Sequence, residues 1–208
     1  MSGEDGALRS GDEGKSRYRY ASHETHGLKA KAMSAAAHIL DTRGIEELNL
    51  RAIAEKAGIG IASMYHYFDN KEDILLSLGV MGFEDLRRDI LGTLADDNSL
   101  SPIGASAAVF FRFAETRSEL FSLMFNQRLL ARHEALRDAE NRTFLAHEAV
   151  VYSDERIPAL HRQGAAYALW ALARGMAAIM SSQPDGKLPP ELTERLMSGA
   201  GYLISHPD

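Results

Sequence analysis

The densest run of chemically capable side chains lies between Ser63 and Lys71, where a hydroxyl, two phenols, an imidazole and an ammonium group (Ser63, Tyr65, Tyr67, His66 and Lys71) fall within nine residues. Each can donate a hydrogen bond, but nothing beside them supplies the base and orienting group that an activated nucleophile needs. The rest of the chain offers no better case for bond-making. It has no cysteine, which excludes disulfides, thiolate-bound zinc and thiol nucleophiles. Of its eight histidines, His23 and His26 stand three apart, while His133, His147 and His161 are scattered without carboxylates at ligand spacing, so no metal is expected. A glycine-rich phosphate loop, a nucleophile elbow and a zinc-protease helix motif are all missing. Asp96-Asp97 and Asp154-Glu155 sit at breaks in the helical pattern and read as solvated loop residues. The chemistry implied is recognition, not catalysis, with neither enzyme activity nor a cofactor expected.

Donors used for recognition must be held on a rigid element, and the segment Leu50–Phe68 supplies one. It reads as two helices of about two turns around Gly58-Ile59-Gly60, with Asn49 placed to cap the first and Gly58 able to take the positive φ of a tight turn. Ile53, Ala54 and Ala57 are expected to face Ile59, Met64 and Tyr65, the small alanines permitting a close crossing. Such a helix-turn-helix places its second helix in the major groove, N-terminus first. Gly60, Ile61, Ala62, Ser63, His66 and Tyr67 would then face the groove, while Met64, Phe68 and part of Tyr65 turn to the core. A preceding helix over Leu28–Arg43 stops at Gly44. A long following helix, capped by Asn70 with Asp73 three residues on, carries Ile74, Leu75, Leu78, Met81, Leu86, Ile90, Leu91 and Leu94 at helical spacing.

These residues closely resemble the head of the tetracycline-repressor (TetR) family. Ala54 with Ala57-Gly58-Ile59 is similar to that family's first helix and turn. Met64-Tyr65-His66-Tyr67-Phe68, Lys71-Glu72 and Leu75 are similar to its recognition helix and the start of helix four. The resemblance implies phosphate contacts from Tyr65, Tyr67 and Lys71 and from the backbone at the starts of helices two and four. Arg51 and the capping Asn49 join the candidate DNA-binding set, and Ser63 and His66 are candidates for base or phosphate contacts. Two residues depart from the family: Gly60 stands where serine is common, and Ile61 where a basic or polar residue is frequent. Ile61 and Ala62 can offer a base only an apolar contact, such as one with a thymine methyl.

Beyond residue 100 the pattern stays helical, with segments expected over 102–115, 118–125, 127–152, 157–182 and 189–205 and breaks at Pro158, Gln183-Pro184-Asp185-Gly186 and Pro189-Pro190. Ala107–Phe125 resembles the Phe-rich body segment of the same family. Leu169–Gly175 resembles a Trp-x-x-x-His-Gly signature, with Arg174 where the histidine would stand. The resemblance implies an effector pocket and a dimer interface in this body. Phe110, Phe113, Met124, Phe144, Tyr167 and Trp170 could form an apolar pocket, with His147, Arg174 and Arg112 as polar anchors. Ala168, Leu172, Met176 and Ile179 on one helix and Leu196, Ala200 and Leu203 on the next form strips suited to a four-helix interface with a twin.

The expected fold is therefore all-α: an N-terminal three-helix head with a helix-turn-helix, then a larger helical ligand-binding and dimerisation body. Residues 1–22, rich in Gly, Ser and charge, read as a disordered tail, residues 23–70 as the DNA-binding domain and 71–208 as the body. Within the tail, Lys15–Tyr20 alternates cations with aromatics, as a solvated segment or a basic arm on DNA would. The net charge of −6 is unevenly spread: residues 15–71 hold nine Lys/Arg against six Asp/Glu, and 72–208 hold thirteen against nineteen. A mildly basic head on an acidic body suits a nucleic-acid partner despite the negative sum. The first residues lack a signal-peptide pattern and no stretch is long enough to span a membrane, so a cytoplasmic location is expected. The function implied is a ligand-responsive transcriptional regulator, a repressor by resemblance. It would bind a palindromic operator on double-stranded DNA as a homodimer and be released by a small hydrophobic or aromatic effector. The alternative is a helical small-molecule sensor or carrier without specific DNA readout.

Overall fold

The computed structural model describes residues 13–95, 100–185 and 187–205, and side chains from residue 27 onward except those of 177, 181, 197, 200 and 203–205. All regular structure among the described residues is helical. The head comprises α1 (Glu13–Arg43), α2 (Leu50–Ala57) and α3 (Ile61–Tyr67), and α4 (Lys71–Gly92) leads out of it. The body adds α5 (Pro102–Thr116), α6 (Ser118–Met124), α7 (Gln127–Arg132), α8 (Glu134–Ser153), α9 (Arg162–Ser181) and α10 (Pro190–Ser205), with a 3-10 turn over Ala159–His161.

Local chemistry explains most of these boundaries. Asn49 Oδ1 accepts from the Ala52 N–H at 2.9 Å and opens α2, while Gly58 closes it at φ 65°, its N–H directed to the Ala54 and Glu55 carbonyls. Asn70 caps α4 by accepting from the Asp73 N–H at 3.1 Å, and Asp73 Oδ2 accepts in turn from the Asp69 N–H at 3.0 Å. Ser101 Oγ caps α5, which has proline in its first turn.

Two boundaries depart from the periodicity reading. Helix α1 begins at Glu13 rather than Leu28, so residues 13–22 of the expected tail are helical, and only 1–12 lie outside the described residues. Nothing between Lys15 and His26 is a proline or glycine, so the helix can continue without an apolar stripe to announce it. The single helix expected over 127–152 is divided at His133, whose backbone is extended at φ −118°, ψ 111°. Arg137 Nη1 donates to the Leu130 carbonyl at 2.7 Å and the Ala131 carbonyl at 3.2 Å, satisfying the end of α7 that the break exposes.

Helix α4 joins head to body. It packs along α8 and α6 and also touches α1 and α5. Its Ile74, Leu78, Phe83, Leu86 and Ile90 are buried in a core that runs continuously from α1 to α9. The approach to α6 and α8 is close: a Cβ at Gly82 would lie 2.6 Å from Met124 Sδ, and one at Gly79 would lie 2.8 Å from Leu136 Cδ1. The Thr143 hydroxyl of α8 donates into this junction, 3.0 Å from the Phe83 carbonyl. Arg117, just before α6, reaches Asp85 of α4 at 3.1 Å and Asp41 of α1 at 3.7 Å.

Candidate nucleic-acid interface and effector cavity

In the head, Ile53 and Ala54 of α2 and Met64 of α3 are buried together with Ile59 of the turn and Phe68 after α3. This packing turns the opposite side of α3 outward. Ile61 (43% exposed), Ala62, Tyr65 (60% exposed) and His66 stand in solvent, with Ser63 and Tyr67 half-buried beside them. Tyr65, expected to turn partly to the core, has its ring on the outer face, because Met64 and Phe68 take the buried positions. Tyr67 instead packs partly against the core, edge-on to Phe68 at a centroid distance of 6.5 Å. Arg51 and Lys71 are exposed on the same head. Lys71 Nζ donates to the Ile45 carbonyl at 2.6 Å, tying the start of α4 to the α1–α2 turn and leaving two of its three protons for another acceptor.

The body holds a partly open cavity of about 300 Å³ between α5, the second half of α8, α9 and α10. Phe110, Phe111, Leu169, Trp170, Leu172 and Met176 supply most of its wall, with Ser106, His147 and Arg156 among the polar lining residues. Behind it lies an aromatic cluster, in which Trp170 meets Phe144 at 5.8 Å, Phe125 at 6.2 Å and Phe110 at 6.4 Å. Burial lowers the His147 pKa to about 4, against a smaller opposing hydrogen bond to the Ala166 backbone, so the ring is neutral at physiological pH. Its Nε2 is buried without a hydrogen-bond partner. Arg156 is held by both oxygens of Asp154, at 2.8 and 2.7 Å, and these bonds draw the Asp154 carboxyl below its usual range.

The family model described as bacterial regulatory proteins of the tetR family matches residues 32–78, which span α1 to the first turns of α4 and contain the whole helix-turn-helix. Over those residues the chain is similar to the tetR family. Solved structures similar to the chain along most of its length share the fold. A Rhodococcus sp. RHA1 protein of unknown function is 19% identical over 85% of this chain and 93% of its own, with a TM-score of 0.66. The fatty acid degradation regulator FadR from Bacillus halodurans is 15% identical over 84% and 93%, with a TM-score of 0.62. SmeT in complex with triclosan is 17% identical over 86% and 88%, with a TM-score of 0.54. No curated protein sequence matches the chain.

The fold regroups the residues singled out in the sequence. Of the expected pocket set, Phe110, His147 and Trp170 line the cavity. Phe113 and Met124 belong to the solid core behind it. Phe144 stacks on the exposed Tyr167 at 4.7 Å, on the outer side of α9. Arg174 leaves the cavity to pair with Glu140 at 3.2 Å and lies over the Phe125 ring, and Arg112 is exposed. Leu172 and Met176, expected at a dimer interface, turn into the cavity, and Met176 is buried within the protomer. Ile179 and Leu196 are half-buried, and the side chains of Ala200 and Leu203 lie outside the described residues, as do those of Lys15–Tyr20. Ala168 of the expected strip is exposed, and it shares an outer strip of small residues on α9 with Gly164, Ala171, Gly175 and Ala178.

Phe111, Ser106 and Arg156 were missed as lining residues. A signal for the first two existed: Ile103, Ser106, Ala107, Phe110 and Phe111 recur at helical spacing along one side of α5. Asp154, expected in a solvated loop, is buried because it clamps Arg156 and faces the Ile103 N–H at the start of α5, 3.5 Å away. Among the described residues no group of three or more His, Asp or Glu could hold a metal ion, and no helix is long and apolar enough to cross a membrane.

Proposed function

We propose that the chain is a TetR-family transcriptional regulator, a repressor that binds a palindromic operator as a homodimer and leaves it when a small, mainly apolar effector fills the body cavity. The observation that carries this reading is one helix, α4, that starts beside the outward face of α3 and runs into the packing behind the cavity. The head would use Tyr65, Tyr67, Lys71 and Arg51 on phosphates and Ser63, His66 and Ile61 at base edges, with Ala62 small enough to let α3 seat closely. A second copy fits on the α9 face of small exposed residues, since one head reads only a half-site and two must sit about one helical turn of DNA apart. SmeT with bound triclosan offers a precedent for small-molecule binding by a protein of this fold. In this reading the chain acts by binding alone, in the compartment that holds its DNA.

The test is selection of bound fragments from genomic DNA by the purified protein, followed by titration of one selected duplex at several salt concentrations. The expected result is a palindromic site bound with a steep loss of affinity as salt rises. Equal affinity for selected and random duplex would overturn the reading in favour of a sensor or carrier without DNA readout.

A further inference from the structure

We propose that the effector is an amphiphile: an apolar body that fills the cavity, carrying one carboxylate held at the mouth by the Arg156 guanidinium and the Ser106 hydroxyl. This rests on the reading of the body cavity as the effector site. The lining is unevenly divided along its length. Asp154 Oδ2 binds Arg156 and lies 3.5 Å from the Ile103 N–H, so Arg156, Ser101 and Ser106 stand toward the end of the cavity where α5 begins. Phe110, Phe111, Trp170, Leu172 and Met176, farther along α5 and α9, wall the remainder. The Arg156 side chain is 62% exposed, whereas Ser106, Phe110, Trp170 and Met176 are all buried, so the opening lies on the arginine's side.

The donors at that end are not used up by the protein. A guanidinium carries more N–H groups than one carboxylate can take. Arg156 Nε and Nη2 give one proton each to Asp154, at 2.8 and 2.7 Å, which leaves both protons of Nη1 and the second of Nη2. The Ser106 hydroxyl is buried in the cavity wall and has no hydrogen-bond partner among the described residues. Ser101 Oγ accepts from the Gly104 N–H at 3.2 Å and keeps its own proton to give. A purely apolar ligand would cover the Ser106 hydroxyl without offering it an acceptor. A carboxylate brings two acceptor oxygens, and its bonds to a guanidinium are charge-assisted. Asp154 offsets part of the arginine's charge and water at the mouth screens the rest, so the preference for an anion is moderate. An ammonium head would face donors, the one nearby anion being buried and already engaged.

The experiment is calorimetric titration of the full-length protein at neutral pH with 4-tert-butylbenzoate, 4-tert-butylbenzamide and 4-tert-butylbenzylammonium, followed by the effect of each bound probe on affinity for a duplex selected from genomic DNA. At low salt the benzoate is expected to bind about tenfold more tightly than the isosteric benzamide, with the ammonium weakest. That gap should narrow as salt rises. Arg156→Gln should bind benzoate and benzamide alike, and Ser106→Ala should weaken both by about fivefold. Should Arg156→Gln not fold, with Asp154 left unpaired, the benzoate-to-benzamide ratio of the native protein and its salt dependence still decide. A benzamide bound as tightly as the benzoate, or an ammonium bound most tightly, would overturn the carboxylate assignment while leaving the cavity as a ligand site. Unchanged affinities in Ser106→Ala would take the hydroxyl out of the site. A benzoate that binds as expected but leaves duplex affinity unchanged would overturn the effector reading and keep the head-group assignment. Failure of all three probes to bind would remove the cavity reading and this proposal together.

Discussion

His147 carries a consequence for stability that is separate from any ligand. Its folded pKa of about 4 lies below the 6.5 of a free imidazole, because burial penalises the charged ring. Between those values the unfolded chain binds a proton that the folded chain refuses, so stability is full above the unfolded value and is lost as pH falls toward the folded one. The loss from this residue is bounded by about 3 kcal/mol. Across a series of pH values, the urea midpoint of the native protein should therefore fall relative to that of His147→Phe as the pH drops from 7 toward 4.5. Parallel curves would show that the ring titrates normally. On the head, Lys71→Ala should weaken binding to all duplexes alike and reduce the salt slope by about one, whereas His66→Ala should change which site is preferred. Measuring both variants on selected and random duplex checks this; a change of site preference in Lys71→Ala would contradict the assignment. At this scale the head was largely legible in sequence, since caps and turn glycines act locally. The cavity was not: whether Arg174 points to a ligand or to Glu140 depends on an α8–α9 contact that spacing along one helix does not encode.

At the scale of elements, α4 is the part that other helices are built to fit. Gly79 and Gly82 let α8 and α6 approach its backbone, and bulk there has nowhere to go. Gly82→Val should cost about 1–3 kcal/mol through overpacking against Met124 and Leu120, read as a drop in the thermal midpoint with little change in the denaturant slope. The clamp of Arg117 on Asp41 and Asp85 joins α1, α4 and α6. Burial already raises the Asp41 pKa, and the guanidinium is the main force opposing it. Removing that guanidinium in Arg117→Ala should loosen the head before the body, so hydrogen exchange should quicken in α1–α3 while α8 stays protected; uniform quickening would mean the clamp serves the whole core instead. The break at His133 escaped the periodicity because α7 and α8 keep apolar residues in step across it. What divides them is Glu72 of α4, whose Oε1 lies 2.7 Å from His133 Nε2, sixty-one residues away in the chain.

For the whole molecule, the all-α architecture and the order of head and body follow from the helical periodicity and the breaks at proline and glycine. The partition of α9 between cavity and outer face does not. Leu172 and Met176 share a strip with Ala168, yet the large residues turn inward to the cavity and the small one remains outside. If the small face seats a second copy, Ala171→Arg should yield monomers by sedimentation while keeping its helical content, and operator affinity should fall steeply with dimerisation lost. A dimeric Ala171→Arg would move the interface elsewhere. One feature of the cavity also gives the molecule an optical property. Trp170 is the only tryptophan in the chain and stands in the cavity wall, while the aromatics of α3 are tyrosines. Selective excitation of the indole therefore reports the body and leaves α3 dark, so any filling of the cavity can be followed by emission in the unlabelled protein.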